Sequence, residues 1–167
     1  KGKIAFQDPR TSSPGLQFLM WVVSSMPEEE AIEFLKHISK QAHSFAASWS
    51  AAYGLFKNKS ADLVLSYNTS PVYHVLEEKD DGYQSIEFIE KHPVQIEFAG
   101  VLGQCVNCES AVKFVYFLRS SEAQKIIMNK NYMLPIDKQA MEGTIFDTLP
   151  VYNLLDIKWF TKDEINK

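Results

Sequence analysis

Short apolar stretches of strand length alternate with helical patterns in the first part of the chain, and this alternation restricts the fold more than any other feature. Ile4 to Phe6 is predicted to be a buried strand, and Pro27 to Gln41 is predicted to be a helix with one apolar face. Ser48 can cap a further helix over Trp49 to Lys57. Ala61 to Ser66 is again an apolar run, with one acidic residue, and is short enough for a buried strand. Strands that alternate with helices indicate a layered α/β domain.

The rest of the chain continues with helices and strands. A helix is predicted to start at Thr69, and strands are predicted over Tyr83 to Ile89 and Val94 to Leu102. Ser110 to Met128 is predicted to be helical with a break at Ser120-Ser121, where Ser121 can cap the second part. We find no internal repeat and no low-complexity segment.

Composition and charge exclude several classes of function. The 167 residues are enough for one ordinary domain with its own core. A net charge of −4, with the lysines scattered, argues against nucleic acid as a partner, since a nucleic-acid-binding protein needs a basic stripe. No apolar run approaches the roughly 20 residues that span a bilayer. The motifs of common hydrolases, phosphate-binding loops and zinc proteases are also absent from the sequence, so we expect that the protein is not an enzyme.

Two cysteines, Cys105 and Cys108, leave three interpretations open. The spacing is compatible with a dithiol redox site, with half of a zinc site, or with a disulfide or two bystander thiols. Zinc requires about two more ligands, and the four histidines have no ligand spacing, so no metal site is predicted. The spacing rule favours the disulfide or bystander interpretation.

Three aromatic residues are candidates for a binding site. Trp49 stands at a predicted helix start, and Tyr67 and Tyr73 flank a predicted strand-to-helix turn. Each tyrosine alone is more often a packed side chain with a bonded hydroxyl. Together the three rings can form an aromatic box for a flat or cationic small molecule, because each ring face attracts a cation.

A hydroxyl pair precedes another predicted helix. Ser12 and Ser13 stand just before Pro14, a residue that suits the first turn of a helix. The N-terminus of a helix carries about half a positive charge and binds anions. The simpler interpretation is that one of the two serines caps the helix, and both interpretations are compatible.

Three segments occur in an order that resembles the thiamine-binding periplasmic proteins of ABC importers. They are Gln7 to Gly15, Trp49 to Phe56 and Asp62 to Tyr67. The resemblance covers only the second half of such a protein. It implies a truncated α/β lobe of the type II periplasmic-binding-protein class, with a mixed sheet and flanking helices. Residues 1–100 are expected to form the second ligand-binding lobe with a crossing strand, and residues 101–167 a helical segment that returns to the missing first lobe.

The resemblance also implies a set of ligand contacts. The family's aromatic contacts to thiamine match Trp49, Tyr67 and Tyr73, and Ser12 and Ser13 match the hydroxyl pair that receives the phosphate of thiamine phosphates.

A fourth aromatic contact departs from the family pattern. In the stretch Asn131 to Pro135, Tyr132 occupies the place of a family tryptophan. A tyrosine offers a smaller and weaker cation–π surface.

The remaining expectations concern cargo, location and partners. Thiamine or a thiamine phosphate is expected as a transported ligand, not as a cofactor, and a membrane permease is the expected partner. The location is periplasmic or extracytoplasmic, with a lipid anchor as an open alternative and no signal segment in this chain. Self-association of the fragment is a further expectation. The alternatives are a receptor for another cationic or anionic solute, such as a polyamine or iron, a redox protein that uses the two cysteines, and a sensory module of the same fold.

Overall fold

The computed structural model describes residues 2–88 and 91–155 of the chain. These residues divide into two compact units, each assembled from separate segments. Unit 1 contains the described residues within 1–66, 87–95 and 152–167, and unit 2 contains residues 67–86 and 96–151. The division at residue 100 that the resemblance implies stays a prediction. The predicted packing of residues 101–167 on another lobe stays a prediction.

Unit 1 is built around a small parallel sheet. Its elements in chain order are β1 (Ile4–Gln7), α1 (Ser13–Ser25), α2 (Glu28–Gln41), β2 (Ala42–Ala46), α3 (Trp49–Lys57) and β3 (Leu63–Val64). The strand order is β2-β1-β3, and both pairings are parallel. The predicted α/β layering is confirmed. The described strands are all parallel, whereas the resemblance implied a mixed sheet.

One cluster in the core of unit 1 consists of small side chains. Buried alanines from β1, β2, α3 and the segment before β3 form it, with two partly buried side chains against it: Ala5, Ala46, Ala52 and Ala61 with Leu55 and Val64. Small residues bring the helix and the sheet close together, which fixes the loops that follow the strands.

A second group of contacts joins the two later segments of unit 1 to its first segment and to each other. The Trp21 ring in α1 packs edge-on against Phe88 at 5.3 Å between ring centroids, and its Nε1 donates to the Lys91 carbonyl at 3.0 Å. His92 forms an isolated parallel bridge with Leu154, and its ring lies 4.2 Å from that of Tyr152. These contacts join α1 to Phe88 and Lys91, and they join His92 to residues 152–154.

Unit 2 is mainly helical. It contains α4 (Ser70–Tyr73), a π-helix (His74–Glu78), α5 (Cys108–Leu118), α6 (Ser121–Asn131) and two 3₁₀ turns (Lys138–Met141 and Ile145–Thr148). Val72, Met128 and Phe146 form its buried core. The predicted break between α5 and α6 is confirmed, but the capping residue is Ser120, not Ser121. Ser120 has an extended backbone, and its hydroxyl accepts the Ala123 N–H at 3.2 Å.

The strand predictions over Tyr83 to Ile89 and Val94 to Leu102 are wrong for the residues that the structure describes. Residues 83–88 and 94–102 contain no strand, and Ile89 lies outside the described residues. A strand is stable only when a neighbouring strand satisfies its backbone groups, and side-chain alternation does not supply that neighbour. Phe98 is 90% exposed and Leu102 is 82% exposed, so the apolar pattern of the second segment does not face a core in this chain.

Candidate functional site

The two candidate serines lie at the start of α1, just after β1. Ser12 is the N-cap residue, with extended backbone angles (φ −133°, ψ 126°), and Pro14 stands in the first turn as predicted. The Ser12 hydroxyl makes no capping hydrogen bond. Capping therefore does not account for this hydroxyl, although Ser12 occupies the cap position.

The loop that leads to these serines is held by Asp8. Its backbone carbonyl accepts the N–H groups of Thr11 at 3.1 Å and Ser12 at 3.0 Å, and the Thr11 hydroxyl donates to the Ala47 carbonyl at 2.9 Å. The Arg10 guanidinium donates three hydrogen bonds to the Asp8 carboxylate, with a shortest distance of 2.6 Å. These bonds lower the pKa of Asp8 to about 2. The negative charge of Asp8 is thus paired with a cation beside the helix start.

Gly15 allows α1 to begin directly against the end of β1. A Cβ atom at this position would lie 2.6 Å from the Gln7 carbonyl oxygen and 2.9 Å from the Asp8 carbonyl carbon. Carbon atoms do not approach backbone that closely, so only glycine fits here.

Trp49 is the first residue of α3, and its indole is fixed on two sides. The predicted cap is confirmed, because the Ser48 hydroxyl accepts the Ala51 N–H at 3.2 Å. The indole stacks on the Tyr53 ring at 4.7 Å, with 21° between the ring planes. Its Nε1 donates to the Ser66 hydroxyl at 2.9 Å. Trp49 is therefore held in one orientation at the start of α3, which follows β2.

The candidate residues of unit 1 share one edge of the sheet. The serines follow β1, Trp49 follows β2, and Ser66 follows β3. Because the three strands are parallel, their carboxyl ends lie at the same edge. Ligands of open α/β sheets bind outside the carboxyl ends of the strands. The bond from Trp49 to Ser66 links the loops after the two outer strands at this edge.

Unit 2 brings Tyr73 and Tyr132 together. Their rings pack edge to face at 5.4 Å, and the Tyr132 hydroxyl donates to Glu77 Oε1 at 2.9 Å. Burial, and then the Glu77 carboxylate, raise the pKa of Tyr132 to about 12. The phenol is therefore neutral at physiological pH and acts as a hydrogen-bond donor. Tyr67, the remaining tyrosine candidate, precedes α4 and is 38% exposed.

A buried histidine beside Tyr73 was not singled out from the sequence. His74 is fully buried, its Nδ1 lies 2.6 Å from Glu78 Oε2, and its ring stacks on Tyr83 at 3.5 Å. The Tyr73 ring packs edge-on against the His74 ring at 5.2 Å. The four-residue spacing of His74 and Glu78 is the sequence signal that could have indicated this pair.

The six candidate residues are thus divided between the two units. Unit 1 holds Ser12, Ser13 and Trp49, and unit 2 holds Tyr67, Tyr73 and Tyr132. The structure brings Tyr73 and Tyr132 into contact and places the unit 1 candidates at the starts of α1 and α3, which follow strands of one sheet edge.

The two cysteines are bonded to each other. Cys105 and Cys108 form a disulfide with a Cα–Cα distance of 5.2 Å, at the start of α5. The disulfide interpretation of the spacing is therefore confirmed. Within residues 2–88 and 91–155, no group of three or more histidine, cysteine or acidic side chains could hold a metal ion. No helix in this part of the chain has the length and apolar character needed to cross a membrane.

We expect no free thiol at Cys105 or Cys108 in the native protein as isolated. Thiol labelling in denaturant should modify neither cysteine before reduction and both afterwards, since the two are bonded to each other. Reduction should leave ligand binding unchanged within about twofold, because neither cysteine lies in the described groups of candidate residues. Two free thiols in the native protein, together with insulin reduction, would instead favour the redox interpretation.

Comparison with known proteins identifies the class. Residues 1–132 match the family described as bacterial extracellular solute-binding protein, and the chain belongs to that family.

The chain is also similar to individual proteins that share one description. The chain is 40% identical over 134 residues to the thiamine-binding periplasmic protein of Escherichia coli K12, which covers 80% of this chain and 41% of that protein. It is 37% identical over 163 residues to the Haemophilus influenzae protein of the same name, which covers 98% of this chain and 47% of that protein. A solved periplasmic thiamin binding protein superposes with a TM-score of 0.85 at 36% identity, over 99% of this chain and 51% of that one. The resemblance seen in the sequence is confirmed, and the chain spans about half the length of these relatives.

Proposed function

We propose that this chain is the ligand-binding part of a solute receptor that delivers thiamine, or a thiamine phosphate, to an ABC importer. The observation that carries the proposal is the sheet edge of unit 1, where Trp49 and the two serines follow the carboxyl ends of parallel strands. Relatives at 37–40% identity are named for thiamine binding, which supports the choice of cargo.

The chemistry of the candidate residues suits thiamine. Its thiazolium ring carries a permanent positive charge. Aromatic faces attract such a cation, so the site needs no buried carboxylate to bind it. The proposed aromatic residues are Trp49, Tyr67, Tyr73 and Tyr132. A phosphate group suits the start of α1, where the Ser12 hydroxyl makes no capping bond. We therefore assign the serines to the phosphate and the aromatic residues to the thiamine rings.

The proposal includes a location and a partner. The Cys105–Cys108 disulfide supports an oxidising compartment outside the cytoplasm, where such bonds persist. The membrane permease of the importer is the proposed protein partner. Binding and release of a solute require no catalysis, so we propose no enzymatic activity. Self-association of the chain stays a prediction.

Calorimetric titration of thiamine into the full-length gene product tests the proposal. We expect a dissociation constant below about 1 μM, since a receptor must capture a scarce solute. Thiamine monophosphate should compete for the same site, whereas spermidine and ferric citrate should not. A folded protein that gives heat with spermidine or ferric citrate, but none with thiamine, would contradict the proposed cargo and keep the receptor class.

A further inference from the structure

Glu77 is joined to the aromatic pair of unit 2 by a hydrogen bond. Its Oε1 accepts the Tyr132 hydroxyl at 2.9 Å, while the Tyr132 ring packs edge to face with Tyr73 at 5.4 Å. The neighbouring Glu78 bonds the buried His74 instead. The two adjacent carboxylates therefore form hydrogen bonds with two different rings. Glu77, which accepts from Tyr132, is solvent-exposed.

Tyr132 stands at the end of a helix. It ends α6 in the left-handed conformation, with φ 53° and ψ 36°. Helices commonly end with a residue in this conformation, so the backbone angles belong to the helix end. From this position the phenol bonds Glu77 and its ring contacts Tyr73.

The hydrogen bond has two physical consequences. It restricts rotation of the Tyr132 ring, because the hydroxyl stays within reach of the carboxylate. It also places a negative charge at the far edge of the ring. A cation on the face of Tyr132 is then separated from Glu77 only by the phenol and one hydrogen bond, so Coulomb attraction adds to the cation–π attraction. A neutral molecule of the same shape benefits only from the fixed orientation of the Tyr132 ring.

We propose that Glu77 is a positioning residue that sets the charge preference of the proposed ligand site, since it orients Tyr132 and favours a cationic ligand over a neutral one of the same shape. This inference rests on the proposed function, because it concerns the ligand that Tyr73 and Tyr132 contact.

The test compares two ligands on the full-length gene product. The ligands are thiamine and its uncharged thiophene analogue, in which carbon replaces the quaternary nitrogen. For E77Q we expect thiamine affinity to fall about threefold to fivefold, the range of a solvent-exposed charge interaction. The affinity for the neutral analogue should change by less than about twofold. A variant that is merely less stable would lose affinity for both ligands, so the difference between them is the diagnostic result.

Two further variants separate the mechanism from general charge effects. Y132F keeps the ring and removes the hydrogen bond, so the E77Q effect should be smaller in a Y132F background than in the wild type. E109Q removes one negative charge from α5 of the same unit, where Glu109 pairs with Lys113 at 2.6 Å. It should leave both affinities unchanged. An equal loss of thiamine affinity in E77Q and E109Q would overturn the inference.

The remaining outcomes are also decisive. Thiamine binding by the wild type together with an unchanged E77Q affinity overturns the role of Glu77 and leaves the proposed function intact. Absence of thiamine binding by the folded wild type overturns both. Selective loss of the cationic ligand in E77Q, reduced in the Y132F background, supports the inference.

Discussion

Replacing Trp49 by alanine should weaken thiamine binding by about 2 kcal/mol or more, which is a rise of at least about thirtyfold in the dissociation constant. The indole is held by Tyr53 and Ser66, so it meets a ligand without first losing rotational freedom. Calorimetric titration of thiamine into W49A measures the loss. Retained affinity would remove Trp49 from the site.

A second tryptophan of the same unit provides the matched control. Trp21 also packs on a ring and donates from Nε1 to a protein oxygen, but it contacts the segment around residues 88–92 and not the carboxyl edge of the sheet. W21A should lower the free energy of unfolding and leave the thiamine affinity of the folded protein unchanged. W49F adds a finer comparison, because phenylalanine retains the stack on Tyr53 and loses the bond to Ser66.

Replacing Gly15 by alanine should destabilise the protein by about 2–3 kcal/mol, near the upper end of the cost of overpacking. The new Cβ would collide with backbone atoms of Gln7 and Asp8, which cannot move without disturbing β1. Urea unfolding followed by circular dichroism measures the change as a lower midpoint at a constant slope.

Replacing the other helical glycine by alanine should stabilise the protein. Gly54 lies within α3, and a Cβ atom there meets nothing within 4 Å. G54A should therefore raise the free energy of unfolding by about 0.5–1 kcal/mol, because alanine is the better helix former. If G15A proved as stable as G54A, α1 would not start as close to β1 as described.

Local chemistry explains which elements the sequence predicted. The cap on α3 was predictable because Ser48 bonds an N–H only three residues away. The strand β2 (Ala42–Ala46) was not predicted, because it follows α2 directly at Gln41 with no turn residue between them. The pattern over Val94 to Leu102 failed for a different reason. Alternation of apolar and polar residues describes the two faces of a segment, but strand pairing depends on residues far away in the sequence.

The candidate site shows the same limit. The residue types of Ser12 and Trp49 and their positions at helix starts could be read from the sequence, because helix starts have local signals. The bond between Glu77 and Tyr132 joins residues 55 positions apart, and no spacing rule predicts it. It follows from the way α4, α6 and the π-helix pack in unit 2, and that packing is a property of the folded chain.

The contacts of His92 also restrict the order in which unit 1 can be completed. The His92 N–H donates to the Asn153 carbonyl at 2.8 Å, and the Leu155 N–H donates to the His92 carbonyl at 2.8 Å. Residues 96–151, which belong to unit 2, are translated between these partners. A chain that has grown to residue 151 can already pair β1, β2 and β3, but it still lacks Asn153 and Leu155, the backbone partners of His92. Any molecule that must recognise the finished unit 1 therefore has to wait until the segment after Val151 has left the ribosome.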